Sequence, residues 1–253
     1  MNEPAIHVAG LTYTYPRGPT ALERVEFDVS AGESVGLVGP NGAGKTTLFL
    51  CLAGVLPIGA NMARLGGFDP AQPADRRRLP AKVGIIFQNS DDQLFHTTVF
   101  DDVAFGPLNL GLPGDEVRRR VAEALAQVGL VGMGERVPYH LSGGEKRRVA
   151  LAGVLAMRPE ILLLDEPSMY LDPRGRRELI RVINSLPVTK VIASHDLEMI
   201  RETCSRILML DAGRLVADGP ITPVLANAEL MSAHGLEVPH SLTHHAEGQR
   251  HHE

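Results

Sequence analysis

The sequence predicts an α/β fold with a parallel sheet at its centre, and three observations carry that prediction. Short apolar runs recur at 34–38, 83–87, 161–164 and 188–193, as expected of strands covered on both faces. Helical segments alternate with them, which is the rhythm of a parallel α/β core. The chain opens differently, with apolar and polar positions alternating between turn signals, and this marks a separate β-rich beginning.

In chain order, Ile6, Val8 and Leu11, then Val25, Phe27 and Val29, flank the turn signal Pro16-Arg17-Gly18-Pro19 and read as short strands of a mixed sheet. Residues 34–38 form a short buried strand, and a helix is expected over 46–56. The next strand, 83–87, ends at Gln88. From about 88 to 158 the chain reads as helical, an insertion between core strands. Its clearest helix is 115–128, where Val117, Val121, Leu125 and Val128 recur at spacings of four and three. Another helix is expected from Glu145 to Met157. Strands at 161–164 and 188–193 follow. Ile207-Leu208-Met209-Leu210, the turn Asp211-Ala212-Gly213 and Leu215-Val216-Ala217 make a closing hairpin, and short helices occupy about 220–236. One domain is therefore expected over 1–236, with the polar, His-rich 237–253 as a disordered tail.

Composition narrows the function. A chain of 253 residues with 44% hydrophobic side chains can bury one large core. Arg clusters at 76–78, 118–120 and 147–148 are interspersed with acids and the net charge is −5, so nucleic acid is not an expected partner. The two cysteines, Cys51 and Cys204, read as buried free thiols of a reduced compartment. No apolar run approaches the roughly 20 residues that span a bilayer, and no signal-peptide pattern opens the chain. A cytosolic chain is expected, with any membrane role supplied by partners.

Gly39-Pro40-Asn41-Gly42-Ala43-Gly44-Lys45-Thr46-Thr47 matches G-x-x-x-x-G-K-[ST], a loop whose glycines let backbone N–H groups approach phosphates. In such a loop Lys45 reaches the β- and γ-phosphates and the Thr46 hydroxyl sits on Mg²⁺. The acids Asp165 and Glu166 end an apolar strand. Paired with a phosphate loop, Asp165 would hold Mg²⁺ and Glu166 would polarise an attacking water. Ser142-Gly143-Gly144-Glu145 opens a helix with Ser142 as its cap. Two glycines just inside a helix start cost stability, and close approach to an anion supplies a reason for them.

Phosphate loop, Gln88, Leu141-Ser142-Gly143-Gly144-Glu145, acid pair and His195 follow in an order that resembles the nucleotide-binding subunits of ABC transporters, over about residues 5–235. The resemblance implies an ABC-type ATPase with a parallel α/β P-loop core, an N-terminal antiparallel β subdomain and an inserted helical subdomain. It implies ATP and Mg²⁺ as ligands. Gln88 would contact Mg²⁺ and the γ-phosphate side, and His195 would hydrogen-bond the γ-phosphate and orient Glu166. An aromatic ahead of the loop would stack on adenine, with Tyr15 favoured over Tyr13. Ser142, Gly143, Gly144 and Glu145 would bind ATP held by the opposite subunit, which implies a homodimer.

The stretch Phe87-Gln88-Asn89-Ser90-Asp91-Asp92-Gln93-Leu94-Phe95, continued by 99–107, is similar to the ATPases of energy-coupling-factor (ECF) importers, especially cobalt and nickel members. That likeness implies a transmembrane coupling component and a metal-binding membrane subunit as partners, at the cytoplasmic face of the inner membrane. Asp91 and Asp92 would make the contact; a solvated acidic turn is the alternative. Nickel or vitamin import, and a non-transport ABC ATPase, remain alternative functions to cobalt import. One departure stands out: Ser168-Met169-Tyr170-Leu171 occupies a loop where the family has small residues. His234, His240, His244, His245, His251 and His252 crowd the end, as a solvated tail or as a reservoir for a metal that suits imidazole.

Overall fold

A computed structural model of the chain describes residues 3–242. β1 (Ile6–Thr14) and β2 (Thr20–Val29) pair antiparallel, with their apolar positions turned to one face. The step from Val8 to Leu11 breaks the two-residue period because the register shifts there, at Gly10 with φ of 64°. A bulge with a left-handed glycine accommodates one extra residue in this way. β3 (Ser34–Val38) leaves for a second sheet, and α1 (Lys45–Leu52) follows it. β4 (Ala63–Leu65) returns to pair with β1, and α2 (Pro73–Arg78) leads to β5 (Val83–Ile86).

Three helices come next: α3 (Val99–Asn109), α4 (Gly114–Gln127) and α5 (Gly143–Leu155). The chain then runs through β6 (Ile161–Asp165), α6 (Pro173–Ser185), β7 (Thr189–Ala193), α7 (Leu197–Thr203), β8 (Arg206–Asp211) and β9 (Arg214–Pro220). α8 (Ile221–Leu225) and α9 (Ala228–Ala233) complete it. The larger sheet has the order β5-β6-β7-β3-β8-β9, parallel except for β9; the smaller has the order β2-β1-β4 and is antiparallel throughout.

α1 lies between the two sheets; after its polar first turn, Lys45-Thr46-Thr47, the remaining residues Leu48 to Leu52 are all apolar, as a helix covered on both sides requires. Leu48, Phe49 and Leu52 are fully buried there among Ile6, Leu37 and Leu163. The opposite face of the large sheet packs against α3, α5, α6 and α7 in a second cluster that includes Val103, Val149, Ile183 and Ile200.

Several local expectations need correction. The first strands do not form a mixed sheet: β1 and β2 are purely antiparallel, and the mixed sheet is the one β3 joins. α1 stops at Leu52 rather than at residue 56, because Gly54 turns left-handed at φ 72° and ends the helix. α5 starts at Gly143, two residues early, and stops at Leu155. β4 and α2 are too short to leave a periodic signal. Both cysteines are free, but only Cys51 is fully buried and Cys204 is partly exposed; burial pushes the Cys51 thiol up to about 12 and the Cys204 thiol up to about 11.

Candidate active site

The strand-end motifs all emerge on one edge of the six-stranded sheet. The phosphate loop follows β3, Gln88 follows β5, Asp165 ends β6 and His195 follows β7. Register aligns these ends, with Leu37 and Asp165 both opposite Ala193, and Ile86 opposite Leu164. Such carboxyl edges are where open α/β sheets bind ligands. A cleft of about 540 Å³ lies here, lined by Tyr15, residues 41–47, Gln88, Asp165, Glu166 and His195.

The loop is pressed against its own protein. A Cβ on Gly39, at φ 151°, would stand 1.9 Å from the Leu210 carbonyl oxygen, and one on Gly44, at φ 106°, would stand 2.6 Å from that of Ala21. Neither position can hold a side chain. Lys45 Nζ folds back over the loop and donates to the carbonyls of Gly39 (2.6 Å) and Pro40 (3.0 Å). Gly39 and Pro40 thus serve the cleft through Lys45 rather than by lining it. α1 begins at Lys45 with no side-chain cap, so its first N–H groups are left for an anion.

Asp165 is 3% exposed and accepts a hydrogen bond from Thr46 Oγ1 at 2.7 Å. Burial pushes its carboxyl up, against the Thr46 bond and the charges of Lys45, Arg147 and His195. Burial also pulls Lys45 down, against Glu166 and Asp165. A hydroxyl and a carboxylate oxygen converging at the mouth of a phosphate loop are hard oxygen donors that suit a small, hard divalent cation. Thr46 and Asp165 therefore fit Mg²⁺.

Glu166 sits at φ 45°, outside the usual range for its type, with its N–H on the Ala193 carbonyl. Ser194 Oγ and the His195 N–H both donate to its Oε2 at 3.2 Å. Oε1 is buried and accepts no hydrogen bond, although His195 Nε2 stands 3.3 Å away. One carboxylate oxygen is anchored and the other is kept available. Gln88 lines the same cleft, but its Nε2 donates to Met169 Sδ at 2.9 Å. Tyr15 lines the cleft with its hydroxyl 3.1 Å from Thr47 Oγ1, whereas Tyr13 is buried in the core beneath it.

Ser142, Gly143, Gly144 and Glu145 lie elsewhere, at a second cavity of about 500 Å³ that Tyr170, Asp172 and Arg174 also line. Ser142 and Glu145 form a reciprocal capping box, Glu145 N–H to Ser142 Oγ at 3.3 Å and Ser142 N–H to Glu145 Oε2 at 2.8 Å. A single copy of the chain does not bring these four residues to Lys45. In the bulky loop Met169 turns inward to Gln88, and Tyr170 turns out, 85% exposed at φ 63°.

Sequence reasoning missed part of the cleft. Pro19, Thr20 and Ala21 line it, as do Ala212 and Gly213, whose N–H donates to the Ala43 carbonyl. None of the five carries a titratable side chain, so no chemistry-bearing pattern marks them. Ser194 was open to detection as a hydroxyl at the end of an apolar strand beside His195. Of the histidines, His234 bonds Asp211 at 2.8 Å, and His244, His245, His251 and His252 lie outside the described residues. Among the described residues, no group of three or more His, Cys, Asp or Glu could hold a metal, and no helix is long and apolar enough to cross a membrane.

Comparison with known proteins places the chain in a family. The ABC transporter family matches residues 22–169. A putative ABC transporter ATP-binding protein of Gloeobacter violaceus is 51% identical over 96% of this chain and 99% of its own. The energy-coupling factor transporter ATP-binding protein EcfA of Methanothermobacter thermautotrophicus is 48% identical over 92% of this chain and 76% of its own. Among solved structures, cbiO1 of Clostridium perfringens, part of the ABC transporter complex cbiONQ, superposes with a TM-score of 0.81 at 34% identity, covering 92% of this chain and 94% of that one. A dimeric, post-hydrolysis form of the ATP-binding cassette MJ0796 bound to ADP and Pi gives 0.77 at 25% identity, over 85% and 98%. The chain belongs to the ABC transporter family, as an ATP-binding, ATP-hydrolysing subunit.

Proposed function

We propose that this subunit energises uptake of a transition-metal ion, cobalt, through an ECF-type importer, working as a homodimer on the cytoplasmic face of the membrane. The likenesses to EcfA and to cbiO1 support the transporter class. The observation that carries the docking role is a groove of about 470 Å³ beside the Gln88 turn, lined by Asp92, Phe95, Asp102 and Phe105 among others. Asp102 Oδ1 accepts the N–H groups of Phe95 and His96 at 3.0 Å, while its Oδ2 is buried without a partner. Asp102 thus shapes the groove from within, also pairing with His96, and the exposed Phe95 and Phe105 beside the exposed Asp92 suit an apolar, basic segment of a transmembrane component. Asp92 belongs to that wall; the Asp91 side chain lies outside what the structure describes.

In the cleft, Tyr15 carries the adenine, and the N–H groups of residues 41–47 and Lys45 Nζ hold the phosphates, Lys45 giving up the loop carbonyls to do so. Mg²⁺, held by Thr46, Asp165 and Gln88, would neutralise phosphate charge. Glu166 accepts the proton of the attacking water at Oε1 while Ser194 and His195 hold Oε2, and His195 Nε2 faces the γ-phosphate. The capping-box residues Ser142 and Glu145, with Gly143 and Gly144, complete the site of a second copy, so two identical chains close on two ATP molecules. Hydrolysis removes that bridge and lets the pair open.

Reconstitution with the transmembrane components tests both parts. Wild-type protein should drive ATP-dependent uptake of Co²⁺ into vesicles. Glu166→Gln should turn over about 10²–10⁴ times more slowly and accumulate as an ATP-bound dimer in light scattering. Uptake of nickel or a vitamin in place of cobalt would move the substrate, and an ATP-saturated Glu166→Gln monomer would count against the sandwich.

A further inference from the structure

Arg147 lies near the start of α5 and is 2% exposed, with its guanidinium turned into the junction of two other turns. Nη1 donates to the Phe87 carbonyl at 2.6 Å, Nη2 donates to the Gln88 carbonyl, and Nη2 stands 3.5 Å from the Glu166 carbonyl. These acceptors follow β5 and β6, the first of them 60 residues away in the chain. Nε is buried and donates no hydrogen bond. A cavity of about 130 Å³ opens beside it, lined by Gln88, Gly143, Met169 and Tyr170 among others. On that cavity's wall Met169 Sδ accepts the Gln88 amide.

An arginine kept merely to pack a helix would not be buried to this degree, because a guanidinium is costly to desolvate and an apolar side chain fills space without that cost. Its planar fork is suited to adjacent main-chain carbonyls, which an ammonium cannot span. Burial pulls the guanidinium pKa down, and the charges of Asp165 and Glu166 oppose that shift.

We propose that Arg147 and Met169 are positioning residues for hydrolysis: Arg147 pins the start of α5 to the Gln88 and Glu166 turns, and Met169 holds the Gln88 amide, so that a displacement of α5 moves both turns together. The inference rests on the reading of Gln88 and Glu166 as site residues. It assigns to α5, which carries Gly143 and Gly144, a mechanical link to the cleft of its own chain as well as a face toward a second copy.

The test uses full-length Arg147→Lys, Arg147→Met and Met169→Leu, with Glu166→Gln alongside, measured for nucleotide Kd, KM, kcat and melting temperature. Both Arg147 variants should keep Kd and KM within about threefold and lose about ten- to a hundredfold in kcat, the penalty of misplacing reacting groups by about an ångström. The charge-conserving lysine should not rescue. Met169→Leu, which keeps the volume and removes the sulfur acceptor, should fold normally and lose a few-fold in kcat; it decides the matter if the Arg147 variants do not fold. Wild-type kcat in folded Arg147 variants or in Met169→Leu overturns the proposal, as does a KM rise that accounts for the loss. Glu166→Gln separates the two readings: if it turns over normally the site assignment itself fails, and if it is inactive while the others match wild type only the pin fails.

Discussion

The two glycine-bearing helix starts of this protein have opposite relations to their surroundings. At the start of α1, side chains at Gly39 and Gly44 would collide with backbone carbonyls of β8 and β2. At the start of α5, a Cβ on Gly143 would meet nothing within 4 Å, and one on Gly144 would reach only Gly175 Cα and Leu171 Cδ2 at 3.9 Å. The first pair is demanded by the chain's own packing. The second has no steric cause within one copy, and its cost to the helix goes unexplained until something outside the chain approaches. The same contrast holds for polar groups. Around α1 they are buried and cross-linked between distant elements, as Thr46 to Asp165, whereas the Ser142 and Glu145 groups satisfy each other locally. One half is a built cleft; the other is a surface whose polar groups are already satisfied within its own turn.

That contrast can be broken by substitution, and the largest effect should come from Gly39→Ala. Insertion of a methyl 1.9 Å from a carbonyl oxygen should cost at least about 2 kcal/mol and lower the melting temperature by roughly 4 °C or more. Calorimetry with and without nucleotide reads both this loss and the accompanying loss of ATP binding. An unchanged melting point would show that the loop does not depend on its own packing.

A smaller effect is expected at Tyr15, which belongs to the cleft but not to its frame. Tyr15→Ala should weaken nucleotide Kd by about ten- to a hundredfold through lost stacking, with little change in kcat at saturation. Titration with equal affinity for variant and wild type would remove Tyr15 as the adenine platform.

Smallest in stability is Gly144→Ala, and its sign is reversed. Alanine should raise stability by up to about 1 kcal/mol, since nothing in the chain obstructs it. Nucleotide affinity of a single copy should hold while turnover falls. Copies carrying Gly144→Ala mixed with copies carrying Glu166→Gln should regain activity, because each mixed pair contains one intact composite site. No recovery on mixing would argue that both defects lie in the same copy's cleft.

Much of this was legible before any fold was known. The phosphate loop must cradle an anion with consecutive N–H groups, so its residues are necessarily contiguous, and Gly39 to Thr47 can be read as a string. Apolar runs ending in Gln88, Asp165-Glu166 and His195 are visible because a strand covered on both faces excludes polar residues until it reaches the sheet edge. β4 and α2 were not visible, being three and six residues long with too few positions to establish a period.

Chemistry that needs consecutive residues was thus determined by the sequence alone: the phosphate loop, the acid pair and the capped helix start at Ser142. Tertiary structure decided which of these share a cleft, because the strand order β6-β7-β3 brings Asp165 to Thr46 across 119 positions and Ser194 to Glu166 across 28. It also decided that Tyr15 rather than Tyr13 faces the cleft, that Met169 turns in while Tyr170 turns out, and that Arg147 meets carbonyls of two other turns. The physical reason is that local pattern sets which groups a segment presents, while pairing partners depend on the order of strands in a sheet, and no short stretch of sequence carries that order.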